Sequence, residues 1–169
     1  MSHHDPASRL AALQKRRRTK PAEQYIMNLP GVGKGMLDSL EASFDRPLVF
    51  DTASTENLGI LGEFKMRNDT ARVTINPLGM EEMRRQGRLE TEGPITLVHE
   101  VIGHGKGMLR GTRGDEAVAD LLGEAWLRQT GRDPLFRHPI KMNKEVGMAG
   151  HLTDQAMSVL LGKLEKVKK

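Results

Sequence analysis

The chain has no cysteine. That excludes disulfides, thiol nucleophiles and the cysteine-rich cages typical of structural zinc, and it fits a reducing compartment. No apolar run reaches transmembrane length, and the N-terminus lacks the apolar core of a signal peptide. The expectation is a soluble protein, cytoplasmic where it is synthesised and without a membrane partner; export by a signal-independent route stays open. Internal repeats and a clear domain boundary are also absent, so the 169 residues read as one domain, long enough for a real core.

Charge is present but uneven. The net charge is +4 and the pI near 9.5, and Lys15-Arg16-Arg17-Arg18-Thr19-Lys20 forms a basic run. Residues 1–20 are therefore expected to be a flexible basic arm on a domain spanning 21–169. The run is a candidate contact for nucleic acid or an acidic partner, although charge runs are more commonly just solvated. His3 and His4 in this terminus are expected to be inert.

Tyr25 to Leu40, with Leu29-Pro30-Gly31-Val32-Gly33-Lys34-Gly35 at its centre, resembles a helix-hairpin-helix motif. The resemblance implies that backbone amides around Gly31–Gly35 meet a DNA phosphate. It is not a phosphate-binding P-loop, because Gly35 stands where Ser or Thr should follow the lysine and no strand precedes it. The favoured reading is a tight helix–helix turn with Leu29, Val32, Leu37 and Leu40 in the core.

The densest chemistry lies in His99-Glu100-Val101-Ile102-Gly103-His104, followed by Glu116-Ala117-Val118-Ala119-Asp120. A catalytic zinc takes three protein ligands and keeps one position open, with a base nearby to receive the proton of the attacking water. His99, His104 and Glu116 are candidate ligands, and Glu100 is the candidate base. The histidines are five residues apart, a separation that would place them roughly 140° apart on a regular α-helix. A π-type bulge, centred near Val101–Gly103, would bring them together, and Gly103 suits such a distortion. The first helix is expected to begin with Pro94 at its first position and to carry Ile95, Val98 and Ile102 on its apolar side. After the glycines 105, 107, 111 and 114, a second helix is expected over about 116–130, capped by Asp115 and ended by Gly131. Glu116 and Asp120 then share one face.

His-Glu-x-x-Gly-His resembles the zinc motif of the dipeptidyl peptidase III family. Asp115-Glu116-Ala117-Val118-Ala119-Asp120 is similar to that family's second motif. The resemblance implies zinc ligation by His99, His104 and Glu116, base catalysis by Glu100, and supporting carboxylates at Asp115 and Asp120. Glu-x-x-x-Asp also resembles the thermolysin-like gluzincins, in which the Asp orients a zinc-bound histidine. The likeness covers about residues 95–126, so the chain looks like a minimal gluzincin-type core, similar in layout to small effector peptidases of bacteria and phages.

Around this core, Pro47–Phe50, Gly62–Met66 and Ala71–Ile75 read as strands. Alternation at Phe64, Met66, Val73 and Ile75 predicts a half-buried antiparallel pair across the Arg67-Asn68-Asp69 turn. Glu81–Glu90 reads as a charged helical connector, and Gly59–Met66 as the sheet edge on which a peptide substrate would lie. A last helix is expected over about 152–167. His151 is the candidate for stabilising the oxyanion, with His138 and Arg137 in the same segment and Tyr25 a weaker alternative.

The expected fold is α+β, a small antiparallel sheet packed against a zinc-site helix and a following glutamate helix. Its expected parts are a helical hairpin (21–45), strands and connector (46–92), metal-site helices (93–131) and a C-terminal helical part (132–169). The expected function is a zinc peptidase with Glu100 as base. The alternative is a DNA- or partner-binding module using the basic arm and glycine hairpin, with a structural or vestigial metal site.

Overall fold

A computed structural model describes residues 5–44, 46–105 and 116–132. Three helices come first: α1 (Pro6–Lys15), α2 (Pro21–Met27) and α3 (Gly33–Ser43). Both α1 and α2 open with proline, whose missing N–H costs nothing in a first turn. Gly31 (φ +78°) and Gly33 (φ +66°) turn the chain between α2 and α3 through the left-handed region that side chains avoid. Leu29, Val32, Leu37 and Leu40 are buried there, the core the tight-turn reading expects.

Strands β1 (Leu48–Thr52), β2 (Gly62–Arg67) and β3 (Thr70–Ile75) form one sheet in the order β1-β3-β2. β2 and β3 are the antiparallel pair read from alternation, closed by Asn68 and Asp69, both at positive φ as a two-residue hairpin requires. β1 runs parallel to β3, with Phe50 opposite Val73. The sheet is therefore mixed and not antiparallel throughout. Alternation reports which face of a strand is buried; it does not report which neighbour the strand takes, and here β3 enters between β1 and β2. Phe50, Phe64, Ala71, Val73 and Ile75 line the buried face.

Next comes α4 (Pro77–Arg85), capped by Asn76, whose Oδ1 accepts from the Leu78 N–H at 3.2 Å. The same buried side chain accepts from the Thr55 N–H at 3.1 Å and donates to the Ile60 carbonyl at 2.8 Å. One residue thus fixes both the cap and the loop that leads into β2. Helix α5 (Leu89–Val98) continues directly into a π-helical segment, His99–Gly105. Pro94 lies inside α5 and does not begin it. Leu89 is already buried, and Glu90 and Glu92 suit the positive end of the helix dipole, so the helix starts earlier and does without the bond Pro94 cannot donate. The expected connector 81–90 is accordingly split between α4 and the first turn of α5.

The last described helix, α6 (Glu116–Gln129), packs along the π-helical segment. Trp126 Nε1 donates to Ser43 Oγ at 2.8 Å and ties α6 to the end of α3. The guanidinium of Arg132 covers the Trp126 ring at 5.1 Å.

The N-terminal basic run is a correction. Residues 6–15 form α1, and the Arg18 side chain is fully buried. Arg18 pairs with Asp38 at 2.6 Å and Glu41 at 2.9 Å, and lies 3.5 Å from Glu23. Arg16 bonds Glu23 at 3.0 Å. Lys34 bonds Asp38 at 2.7 Å while donating to the carbonyls of Leu13 (2.9 Å) and Gln14 (2.7 Å) at the end of α1. Three cations therefore neutralise three largely buried carboxylates from α2 and α3, which is why the segment docks instead of trailing in water. Lys15, Arg17 and Lys20 stay exposed. Among the described residues no helix is long and apolar enough to cross a membrane. The expected C-terminal helix lies outside the described residues.

Candidate metal centre

Backbone bonds in a π-helix run between residues five apart, so His104 stands one turn beyond His99. The five-residue spacing thus brings the two rings to the same side, with centroids 4.6 Å apart and planes at 88°. Both rings meet the first residue of α6: His99 Nε2 lies 2.9 Å from Glu116 Oε2, and His104 Nε2 lies 3.1 Å from Glu116 Oε1. Behind them, His99 Nδ1 lies 2.8 Å from Asp120 Oδ1. With Asp120 accepting from Nδ1–H, Nε2 is the ring nitrogen left facing Glu116.

Glu100 adds a second carboxylate. It is buried, and one of its carboxylate oxygens and one ring nitrogen each of His99 and His104 all lie within 4.8 Å of one another, so these three side chains could also hold a metal ion together. The Phe64 backbone N–H of β2 donates to it. Burial pushes the Glu100 pKa up to about 7; His99 and the Phe64 N–H act against that rise, while Glu116 and Glu63 reinforce it. Burial also opposes charge on His99, but the hydrogen bond and charge of Asp120, with Glu100 and Glu116, outweigh it and hold that histidine above its ordinary range. His104, burdened by burial and by neighbouring His99, is held below it, although Glu116 and Asp120 pull the other way.

The two imidazole Nε2 atoms each face a different oxygen of one carboxylate, at distances that an N–H donor on either ring spans as an ordinary hydrogen bond. A proton or a metal cation must lie between such groups. Ligands about 2.0–2.1 Å from a tetrahedral zinc stand roughly 3.3 Å from each other, close to the 2.9 and 3.1 Å separations found here. The donor set, two histidines and a carboxylate without thiolates, fits zinc. The Glu116 side chain is 63% exposed, so the cluster opens to solvent on that side.

Of the residues singled out from sequence, the structure brings His99, Glu100, His104, Glu116 and Asp120 together. Asp115, Arg137, His138 and His151 lie outside the described residues. Tyr25 is not at the cluster: it packs on the core, and its charged neighbours are Arg84 and Glu81 of α4.

The first residue of β2, Gly62, lies within the Gly59–Met66 edge read from sequence, but its closeness to the candidate base was not part of that reading. A Cβ on Gly62 would lie 2.8 Å from the Thr96 methyl and 3.2 Å from Glu100 Cγ, so the strand backbone rests directly on the helix at the candidate base. The signal was a glycine at the first inward position of the alternating Gly62, Phe64, Met66, a place where backbone approaches closely. Among the described residues β2 is a terminal strand of the sheet, in keeping with the edge read from Gly59–Met66. Comparison with protein-family models, curated proteins and solved structures finds no match to this chain.

Proposed function

We propose that this protein is a zinc-dependent peptidase in which His99, His104 and Glu116 hold the metal and Glu100 is the general base. The observation that carries the reading is the single Glu116 carboxylate in contact with Nε2 of both histidines, with Asp120 fixing His99 from behind. The resemblance of the two motifs to dipeptidyl peptidase III and the gluzincins supports it. Glu116 is preferred to Glu100 as ligand because it touches both rings, whereas Glu100 is buried and engaged by Phe64.

Zinc bound there would supply a Lewis acid for the scissile carbonyl and bring a water's pKa near 7. Glu100 takes the proton of the water that attacks the carbonyl carbon, and returns it to the nitrogen as the C–N bond breaks. A pKa raised toward neutrality suits a group that must both accept and release a proton. The outer edge of β2, which bears no strand among the described residues, is the proposed bed for an extended substrate peptide, adjoining Glu100 at Gly62 and Phe64. His151 remains the proposed oxyanion partner, and the cytoplasm the proposed place of work.

The alternative binding module draws less support, because Arg16, Arg18 and Lys34 are engaged in internal ion pairs. Lys15, Arg17, Lys20 and the Gly31–Gly35 turn are what it retains for nucleic acid. The deciding experiment compares zinc content and peptide hydrolysis in the wild type and in Glu100→Gln. The expected result is one zinc in each, with turnover lower by at least about 10²-fold in the variant, the usual contribution of a positioned base. Salt-sensitive DNA binding by a zinc-free protein would support the module instead.

A further inference from the structure

Gly103 occupies the middle of the π-helical segment, yet its backbone is not in the left-handed region; the glycines with positive φ are Gly31, Gly33, Gly87 and Gly131 among the described residues. Conformation therefore does not demand a glycine here. Space does. A Cβ at this position would lie 2.6 Å from the Ala119 carbonyl oxygen and 2.7 Å from both Cα and Cβ of Ala119. None of these atoms is a flexible tip that could turn aside, so relief must come from movement of α6 itself.

Ala119 sits three residues after Glu116 and immediately before Asp120. The displacement that opens its contact with Gly103 therefore carries both carboxylates away from the histidines. Ordinary carbon contact of about 3.5 Å requires α6 to retreat by roughly 0.8 Å. Metal-ligand distances tolerate only about 0.2 Å.

We infer that Gly103 is a positioning residue, whose missing side chain sets the approach of α6 at which Glu116 reaches both histidines. This rests on the zinc reading above. The consequence is that Gly103→Ala weakens metal binding through Glu116, with no ligand removed.

The test is zinc affinity of the full chain by chelator competition, together with the visible spectrum of the Co²⁺-substituted protein. Gly103→Ala is expected to bind zinc at least about 10-fold more weakly, as when a group that orients a ligand is lost. Its Co²⁺ absorption should weaken as water replaces the Glu116 oxygen. Because Gly103 acts through Glu116, Glu116→Ala should cost much less affinity in the Gly103→Ala background than in the wild type. Additive losses, or unchanged affinity in Gly103→Ala, would overturn the inference. If Gly103→Ala does not fold, Ala119→Ser thickens the same contact by one atom. Weaker zinc binding with a near-native melting temperature is then expected, and unaltered binding contradicts the proposal. A wild type that binds no zinc refutes the metal reading itself, a result distinct from a zinc-binding wild type matched by Gly103→Ala.

Discussion

Replacing Asp120 by alanine removes the oxygen that stands 2.8 Å from His99 Nδ1 and leaves all three proposed ligands in place. Without it the imidazole is free to rotate and to shift its hydrogen to Nε2, the nitrogen the metal needs. Losing such a partner typically weakens metal binding about 10- to 100-fold, roughly 1.4–2.7 kcal/mol. Asp120 is 28% exposed, so water can replace part of the lost bond and the lower half of that range is expected. Asp120→Asn keeps an acceptor oxygen but loses the charge, and a neutral hydrogen bond is about half as strong as a charge-assisted one. Its loss should therefore fall below that of Asp120→Ala. Glu116→Ala, which removes a ligand, should exceed both. Competition against a chromophoric zinc chelator at fixed pH and ionic strength measures the whole series. The reasoning is refuted if Asp120→Ala binds zinc like the wild type. If Asp120→Ala is more damaging than Glu116→Ala, the roles of the two carboxylates have been exchanged.

Gly62→Ala presses a Cβ against the Thr96 methyl and Glu100 Cγ; because a misplacement of about 1 Å can cost 10²-fold, peptide turnover should fall at least about tenfold while the Co²⁺ spectrum stays native, and undiminished turnover would count against Glu100 as base. Arg18→Ala leaves Glu23, Asp38 and Glu41 buried without their shared guanidinium, and urea unfolding should show a loss of about 3–5 kcal/mol; a surface-like loss below about 1 kcal/mol would mean the N-terminal segment is not docked in solution.

The meeting of His99, His104 and Glu116 was legible because its geometry is local. Histidines five positions apart do not share an α-helical face, and a π turn is the short-range solution, so His99, His104 and their distortion could be read together. Glu116 and Asp120 followed from a spacing of four on the next helix. The β2–β3 hairpin was equally legible, since alternation and a two-residue turn both lie within one stretch of chain.

What stayed hidden depends on distant partners. Arg18 looks like one charge in a solvated run until Asp38 and Glu41 are brought to it from α3. The parallel β1–β3 pairing requires knowing that β3 inserts between two strands. Pro94 suggested a helix start because proline favours that position, and the burial of Leu89 overrode the preference. At Gly103 the sequence shows a residue that suits the π-type distortion, which the structure has, but not the close contact with Ala119, which depends on α6.

The most direct test of the central claim is an anomalous difference map, collected at the zinc absorption edge from crystals of the zinc-loaded protein. One peak is expected, about 2.0–2.1 Å from Nε2 of His99 and Nε2 of His104 and about 2.0–2.2 Å from a Glu116 oxygen, with Glu100 nearby but unbonded to the metal. No peak between the two histidines, or a metal held by Glu100 in place of Glu116, would contradict the account.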